Sequence, residues 1–157
     1  MQGVTPFLWF DTQAEEAANY YSSVFDDGNI THVAHYGDAG PRPAGAVMTV
    51  DFELAGQKFI ALNGGPEYHF NESVSFMVFC DTQDEVDRCW SQLSDDGEEG
   101  PCGWLKDKYG LSWQIVPTLL FELLGDPDPV KSQAVMAAML KMDKIDSAVL
   151  QAAYDSA

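Results

Sequence analysis

The feature that most constrains this fold is an internal repeat. Val4-Thr5-Pro6-Phe7-Leu8-Trp9-Phe10-Asp11-Thr12-Gln13 is echoed seventy positions later by Val74-Ser75-Phe76-Met77-Val78-Phe79-Cys80-Asp81-Thr82-Gln83. Each copy is a strand-like apolar run followed by a helix start. A unit that occurs twice is expected to build two pseudo-symmetric modules, each burying the same face.

The agreement extends past the strands. Thr12-x-x-Glu15 and Thr82-x-x-Glu85 both fit the capping box, in which a hydroxyl accepts from an orphan backbone N–H and the glutamate reaches back to the cap. Behind the first box, Ala14, Ala17, Ala18, Tyr21, Val24 and Phe25 fall on one helical face; behind the second, Val86, Cys89, Trp90 and Leu93 do. Within the helices the offset is 69, so the copies differ by one residue near the cap. Each copy then closes on a glycine turn and a strand: Gly56-x-x-Phe59-Ile60-Ala61-Leu62 matches Gly110-x-x-Trp113-Gln114-Ile115-Val116. In the first copy, Ile30 to Tyr36 and Ala46 to Leu54 read as two further strands around the breaker-rich Gly37-Asp38-Ala39-Gly40-Pro41-Arg42-Pro43. The expected fold is α+β: tandem βαβββ modules over 1–66 and 72–117 forming one domain, with a helical extension over 118–157.

Composition narrows the partners. With 8 basic and 25 acidic residues the formal net charge is −17, which repels phosphate backbones and anionic lipid, so no nucleic-acid or membrane partner is expected. No basic region followed by an apolar one opens the chain and no apolar stretch is long enough to span a bilayer, which points to a cytoplasmic protein. The three cysteines lack zinc-like spacing. Cys80 and Cys89 fall on core faces, whereas Cys102 lies in a Gly100-Pro101-Cys102-Gly103 turn. His32 and His35 are read on opposite faces of one strand, and Glu67, His69 and Glu72 as a solvated loop.

Paired βαβββ modules with a glycine turn before each last strand are similar to the vicinal oxygen chelate superfamily, which includes glyoxalase I, bleomycin-resistance proteins and extradiol dioxygenases. Within it, Cys102-Gly103-Trp104-Leu105-Lys106-Asp107-Lys108-Tyr109-Gly110-Leu111-Ser112-Trp113-Gln114-Ile115-Val116-Pro117 closely resembles the signature of the PhnB-like branch, often labelled 3-demethylubiquinone-9 3-methyltransferase. The resemblance implies an open, barrel-like mixed sheet enclosing a cleft. In metal-using members four ligands come from the first and last strands of the modules, and those positions map to Thr5, Ile60, Ser75 and Gln114. None is His, Asp or Glu and Ile60 offers no donor atom, so neither a metal nor another cofactor is expected.

Strand alternation turns Thr5, Phe7 and Trp9 toward the cleft, together with Ser75, Met77, Phe79, Ser112, Gln114 and Val116. Leu8, Phe10, Phe76, Val78, Leu111, Trp113 and Ile115 fall beneath the helices. The polar members Thr5, Ser75, Ser112 and Gln114 are the groups with which a pocket orients a mostly apolar small molecule. Binding or sequestering such a ligand is the leading functional expectation; the alternative is an enzyme of the superfamily with an unconventional metal or none. Methyl transfer, as the label has it, fits less well: the first strand is followed by Asp11-Thr12-Gln13-Ala14, with no glycine-rich turn for a nucleotide-like cofactor. A homodimer is expected, because the Met-rich helices over 130–154 carry apolar residues with no sheet face obviously left to cover.

Overall fold

The computed structural model describes residues 3–157, so the first two residues of the expected 1–66 module lie outside it. The chain divides into two compact units, one ending at Phe70 and one running from Asn71 to Ala157. The first holds β1 (Phe7–Phe10), α1 (Ala14–Val24), β2 (Asn29–His35), β3 (Val47–Leu54) and β4 (Gln57–Asn63). The second holds β5 (Ser75–Cys80), α2 (Gln83–Leu93), β6 (Glu98–Glu99), β7 (Trp104–Lys106) and β8 (Ser112–Pro117), then α3 (Thr118–Leu124), α4 (Pro129–Met139) and α5 (Ser147–Asp155). Each unit thus carries one βαβββ module, and the second also carries the C-terminal helices.

Each module forms its own four-stranded mixed sheet, in the orders β1-β4-β3-β2 and β5-β8-β7-β6. In both, the first strand runs parallel to the last, and the register repeats: Phe7 pairs with Ile60 as Met77 pairs with Gln114. The sequence repeat is therefore a repeat of hydrogen-bond register as well as of residues.

One face of each sheet lies under a helix. In the first unit α1 buries Ala14, Ala17, Ala18, Tyr21 and Val24, while Leu8, Phe10, Val50, Phe52, Phe59 and Ala61 are buried on the strands. Tyr21 stacks on Phe52, and Phe52 on Phe59 at 5.2 Å between ring centroids. Withdrawing Phe52 from water stabilises this unit by about 1.5–3 kcal/mol. In the second unit Val86, Cys89, Trp90 and Leu93 of α2 are buried, as are Leu105, Leu111, Trp113 and Ile115 of the sheet layer, with Phe76 and Val78 partly covered.

The two helix starts differ. Thr82 and Glu85 form the complete capping box at α2, with the Thr82 hydroxyl accepting from the Glu85 N–H. The box expected at Thr12 and Glu15 does not form, because α1 begins one residue later and its N-cap position falls on Gln13. The job passes to Asn63 at the end of β4: its Oδ1 accepts from the Ala14 N–H at 2.8 Å, and its Nδ2 donates to the Val47 carbonyl.

The C-terminal helices bury part of their apolar surface against one another and leave part of it exposed, at Val130, Met136, Leu140 and Val149. Leu120, Leu123, Val135, Ile145 and Leu150 bury one another and cover Val116, with Met139 and Met142 packed alongside. Val116, placed toward the cleft by alternation, is thereby taken into this helical cluster. The cluster is tied to the second module by backbone bonds from Cys102 to the Met142 carbonyl and from Gly103 to the Asp143 carbonyl, and by the Gln83 side chain, which bonds the Ile145 carbonyl and the Ser147 N–H.

Candidate functional site

Of the residues read as cleft-facing, Phe7, Met77 and Phe79 are exposed and Trp9, Ser75 and Gln114 half-buried, alternating along their strands with the buried set, and the two units use them differently. In the first unit Phe7 is exposed, whereas Trp9 is held by its own connecting loop. Its Nε1 donates to the Gly65 carbonyl at 2.8 Å, and Tyr68 meets the ring edge-on. A side chain at Gly64 would run into this indole, so only glycine lets the loop pass so close. Thr5 lies ahead of β1 and is exposed, so it has no neighbouring strand to fix its hydroxyl.

In the second unit the open face of β5 and β8 is better organised. Gln114 Nε2 donates to Ser75 Oγ at 2.8 Å, which locks both side chains and leaves the amide carbonyl as an acceptor. Beside this pair, Met77 is 38% exposed and Phe79 is 62% exposed, with Phe79 leaning on Phe121 of α3. Ser112 is fully buried on the same strand.

Sequence reasoning missed the third strand of this face. The hairpin through Gly110 pairs Lys106 with Ser112 and Trp104 with Gln114, so the same alternation that selected Ser112 and Gln114 also selects Trp104 and Lys106. Lys106 bridges to Glu72 and Glu98, and these partners hold its ammonium above its ordinary pKa. The hydrogen bond from Lys106 holds the Glu72 carboxyl correspondingly low. Trp104, Lys106, Ser112, Glu72 and Glu98, with the 99–101 turn, line a pocket of about 360 Å³.

The four positions that the resemblance maps to metal ligands carry side chains that do not suit a divalent ion. Ile60 has no donor, Thr5 stands off the strand, and Ser75 and Gln114 are engaged with each other. Among the described residues no group of three or more His, Cys, Asp or Glu is arranged to hold a metal. Elsewhere, Cys80 and Cys89 meet between β5 and α2, where their mutual hydrogen bond and burial push the Cys80 thiol up while the same hydrogen bond lowers Cys89 to about 7.

Two βαβββ modules with parallel first and last strands give this chain a fold shared with glyoxalase-like and fosfomycin-resistance structures. Residues 2–116 match the family model described as 3-demethylubiquinone-9 3-methyltransferase, and the chain belongs to that PhnB-like family. It is 35% identical to a structure from Bacillus cereus titled putative 3-demethylubiquinone-9 3-methyltransferase, PhnB protein, covering 74% of this chain and all of that one with a TM-score of 0.67. At 19% identity it shares its fold with protein PA1353 of Pseudomonas aeruginosa (TM-score 0.62, 74% and 98% covered). At 12% it shares it with the fosfomycin resistance protein FosX of Listeria monocytogenes (TM-score 0.51, 74% and 93% covered). Among curated proteins, none matches this chain. Among the described residues, no helix is long and apolar enough to cross a membrane.

Proposed function

We propose that this protein binds or sequesters a small, largely apolar molecule on the open face of its β5–β8 sheet, without a conventional metal site. The observation that carries this reading is the Ser75–Gln114 pair set beside the exposed side chains of Met77 and Phe79. Apolar walls with a few fixed polar groups are what a small-molecule site requires. The engaged Ser75 and Gln114 also argue against the metal chemistry of the wider superfamily. Methyl transfer, the activity in the family's description, is not the reading the fold supports best: both sheets end in hairpins rather than parallel βα crossovers, and β1 leads into α1 through Asp11-Thr12-Gln13 without a glycine.

Native mass spectrometry of freshly purified protein, combined with metal analysis, tests the reading. A retained small molecule, weakened by about 1–3 kcal/mol in Gln114→Leu with folding intact, is the expected result, because the substitution leaves a ligand group unpaired. A stoichiometric metal ion lost on changing Ser75 or Gln114 overturns it. We further propose that the molecule acts as a homodimer, supported by exposed Phe7 and Phe79 on the sheets and by Met136 and Leu140 one turn apart on the α4 segment. Sedimentation at low and moderate salt checks this: a monomer at micromolar concentration overturns it, and added salt should strengthen association by screening the −17 charge.

A further inference from the structure

We propose that the pocket formed by β6, β7 and β8 takes an organic ammonium ion carried on a ring-sized apolar body, with the Ser112 hydroxyl as its buried anchor. This pocket lies beside the Ser75–Gln114 pair without including it, so the inference goes beyond the ligand-binding reading to a neighbouring site on the same strands.

Ser112 provides the first argument. It is 0% exposed, it lines the pocket, and its Oγ has no hydrogen-bond partner among the described residues. A buried hydroxyl left unsatisfied is costly, and natural proteins rarely keep one without a use. The hydroxyl is closed off from water, so a ligand group seated in the pocket supplies the missing bond by shifting the side chains over it, with the hydroxyl oxygen accepting from an ammonium N–H.

Charge decides which ligand group that is. Three glutamates, Glu72, Glu98 and Glu99, stand around the pocket against a single lysine, Lys106. Lys106 is already shared between Glu72 and Glu98, the latter at 3.9 Å, so it is not a spare cation waiting for an anion. Glu99 accepts from the Trp90 indole N–H at 2.8 Å, which fixes its carboxylate in place without neutralising it. The net field at the rim is therefore negative, in a chain that is itself strongly acidic. An anionic ligand meets repulsion, and a cation meets attraction.

Trp104 and Pro101 supply the rest. The half-buried indole of Trp104 presents an electron-rich surface that attracts an ammonium group and packs equally well against a ring. A volume of about 360 Å³ accommodates a molecule of one or two rings. Pocket floor, aromatic wall and acidic rim thus fit one ligand from three sides.

Titration calorimetry of the full chain at low salt with three probes of similar size, 2-phenylethylammonium, 2-phenylethanol and 3-phenylpropanoate, tests the inference. The ammonium should bind about tenfold tighter than the alcohol, and the carboxylate weakest of the three. Ser112→Ala should weaken the ammonium about tenfold while leaving the melting temperature of the free protein unchanged or higher, because the orphan hydroxyl is gone. Glu98→Gln, at an exposed position that does not threaten folding, should narrow the gap between ammonium and alcohol. Binding of the carboxylate as tightly as the ammonium, or ammonium binding indifferent to Ser112→Ala, overturns the inference. If the alcohol instead binds best and Gln114→Leu weakens it, the charge class falls and the ligand-binding reading survives.

Discussion

The two modules share a blueprint and a register, yet they satisfy the same exposed backbone groups by opposite routes. At α2 the solution is local: Thr82 and Glu85 cap the helix from within its own first turn. At α1 it is remote: Asn63, forty-nine residues further along the chain, reaches the Ala14 N–H. The repeat explains why. At the hairpin offset, Asn63 corresponds to Pro117, which has no side-chain acceptor, while the extra residue before α1 moves Thr12 out of the capping position. A helix start must be satisfied, and either a neighbour or a distant strand end can do it.

The closing hairpins show the same division in reverse. The β3–β4 turn is the two-residue Ala55-Gly56, with φ of +46° and +76°, so backbone conformation alone makes the reversal. The β7–β8 turn is longer and is held by a side chain. Buried Asp107 accepts from the Tyr109 and Leu111 N–H groups through Oδ1 and from the Trp113 indole through Oδ2 at 2.9 Å. The most family-specific stretch of the sequence is therefore, at Asp107, a structural clasp that fixes Lys106 and Ser112 opposite each other.

This comparison can be broken experimentally. Asp107→Ala should have the largest effect, about 3–5 kcal/mol, because three donors, two of them buried, lose their acceptor; urea unfolding would read it, and a loss below about 1 kcal/mol would show the turn holds itself as the first hairpin does. Asn63→Ala should cost about 2–4 kcal/mol by orphaning the Ala14 N–H and the Val47 carbonyl, measured in the same way. Thr82→Ala should cost about 1 kcal/mol while Thr12→Ala stays within about 0.5 kcal/mol. Equal effects at the two threonines would mean that α1 is capped locally after all.

The smallest effect concerns acid. The Lys144 ammonium holds the Asp87 carboxyl below its ordinary value, and the Tyr154 hydroxyl does the same for Asp126. Both contacts pin C-terminal helices of the second unit. Because the folded values are depressed, this stabilisation is complete above the ordinary carboxyl pKa of 3.8 and fades as pH falls through the folded values. Hydrogen exchange should show α5 losing protection in that acid range before α1 does, and simultaneous loss would assign these pairs no role in docking the helices.

Much of this was legible because alternation and helical spacing are local. The βαβββ order, the buried faces of α1 and α2, and the opposite parities of Leu8 and Phe7 or of Trp113 and Gln114 all follow from residues a few positions apart. The site was legible only along β5 and β8. Trp104 and Lys106 belong to a three-residue strand too short to show a period, and they reach the face only through the hairpin register. Trp9 shows the converse: it alternates with buried Leu8 and Phe10, but a loop more than fifty residues later took its indole N–H.

The sequence by itself determined the repeat, the order of elements and which side of each strand is apolar, since these depend on spacing that the chain carries wherever it goes. Only the tertiary structure decided which distant group caps α1, where Met139 and Met142 pack in the C-terminal helices, and that the Ser112 hydroxyl lines a pocket with no partner among the described residues. The physical reason is that satisfying a polar group or filling a cavity depends on what arrives from elsewhere in the fold, and no local pattern records that arrival.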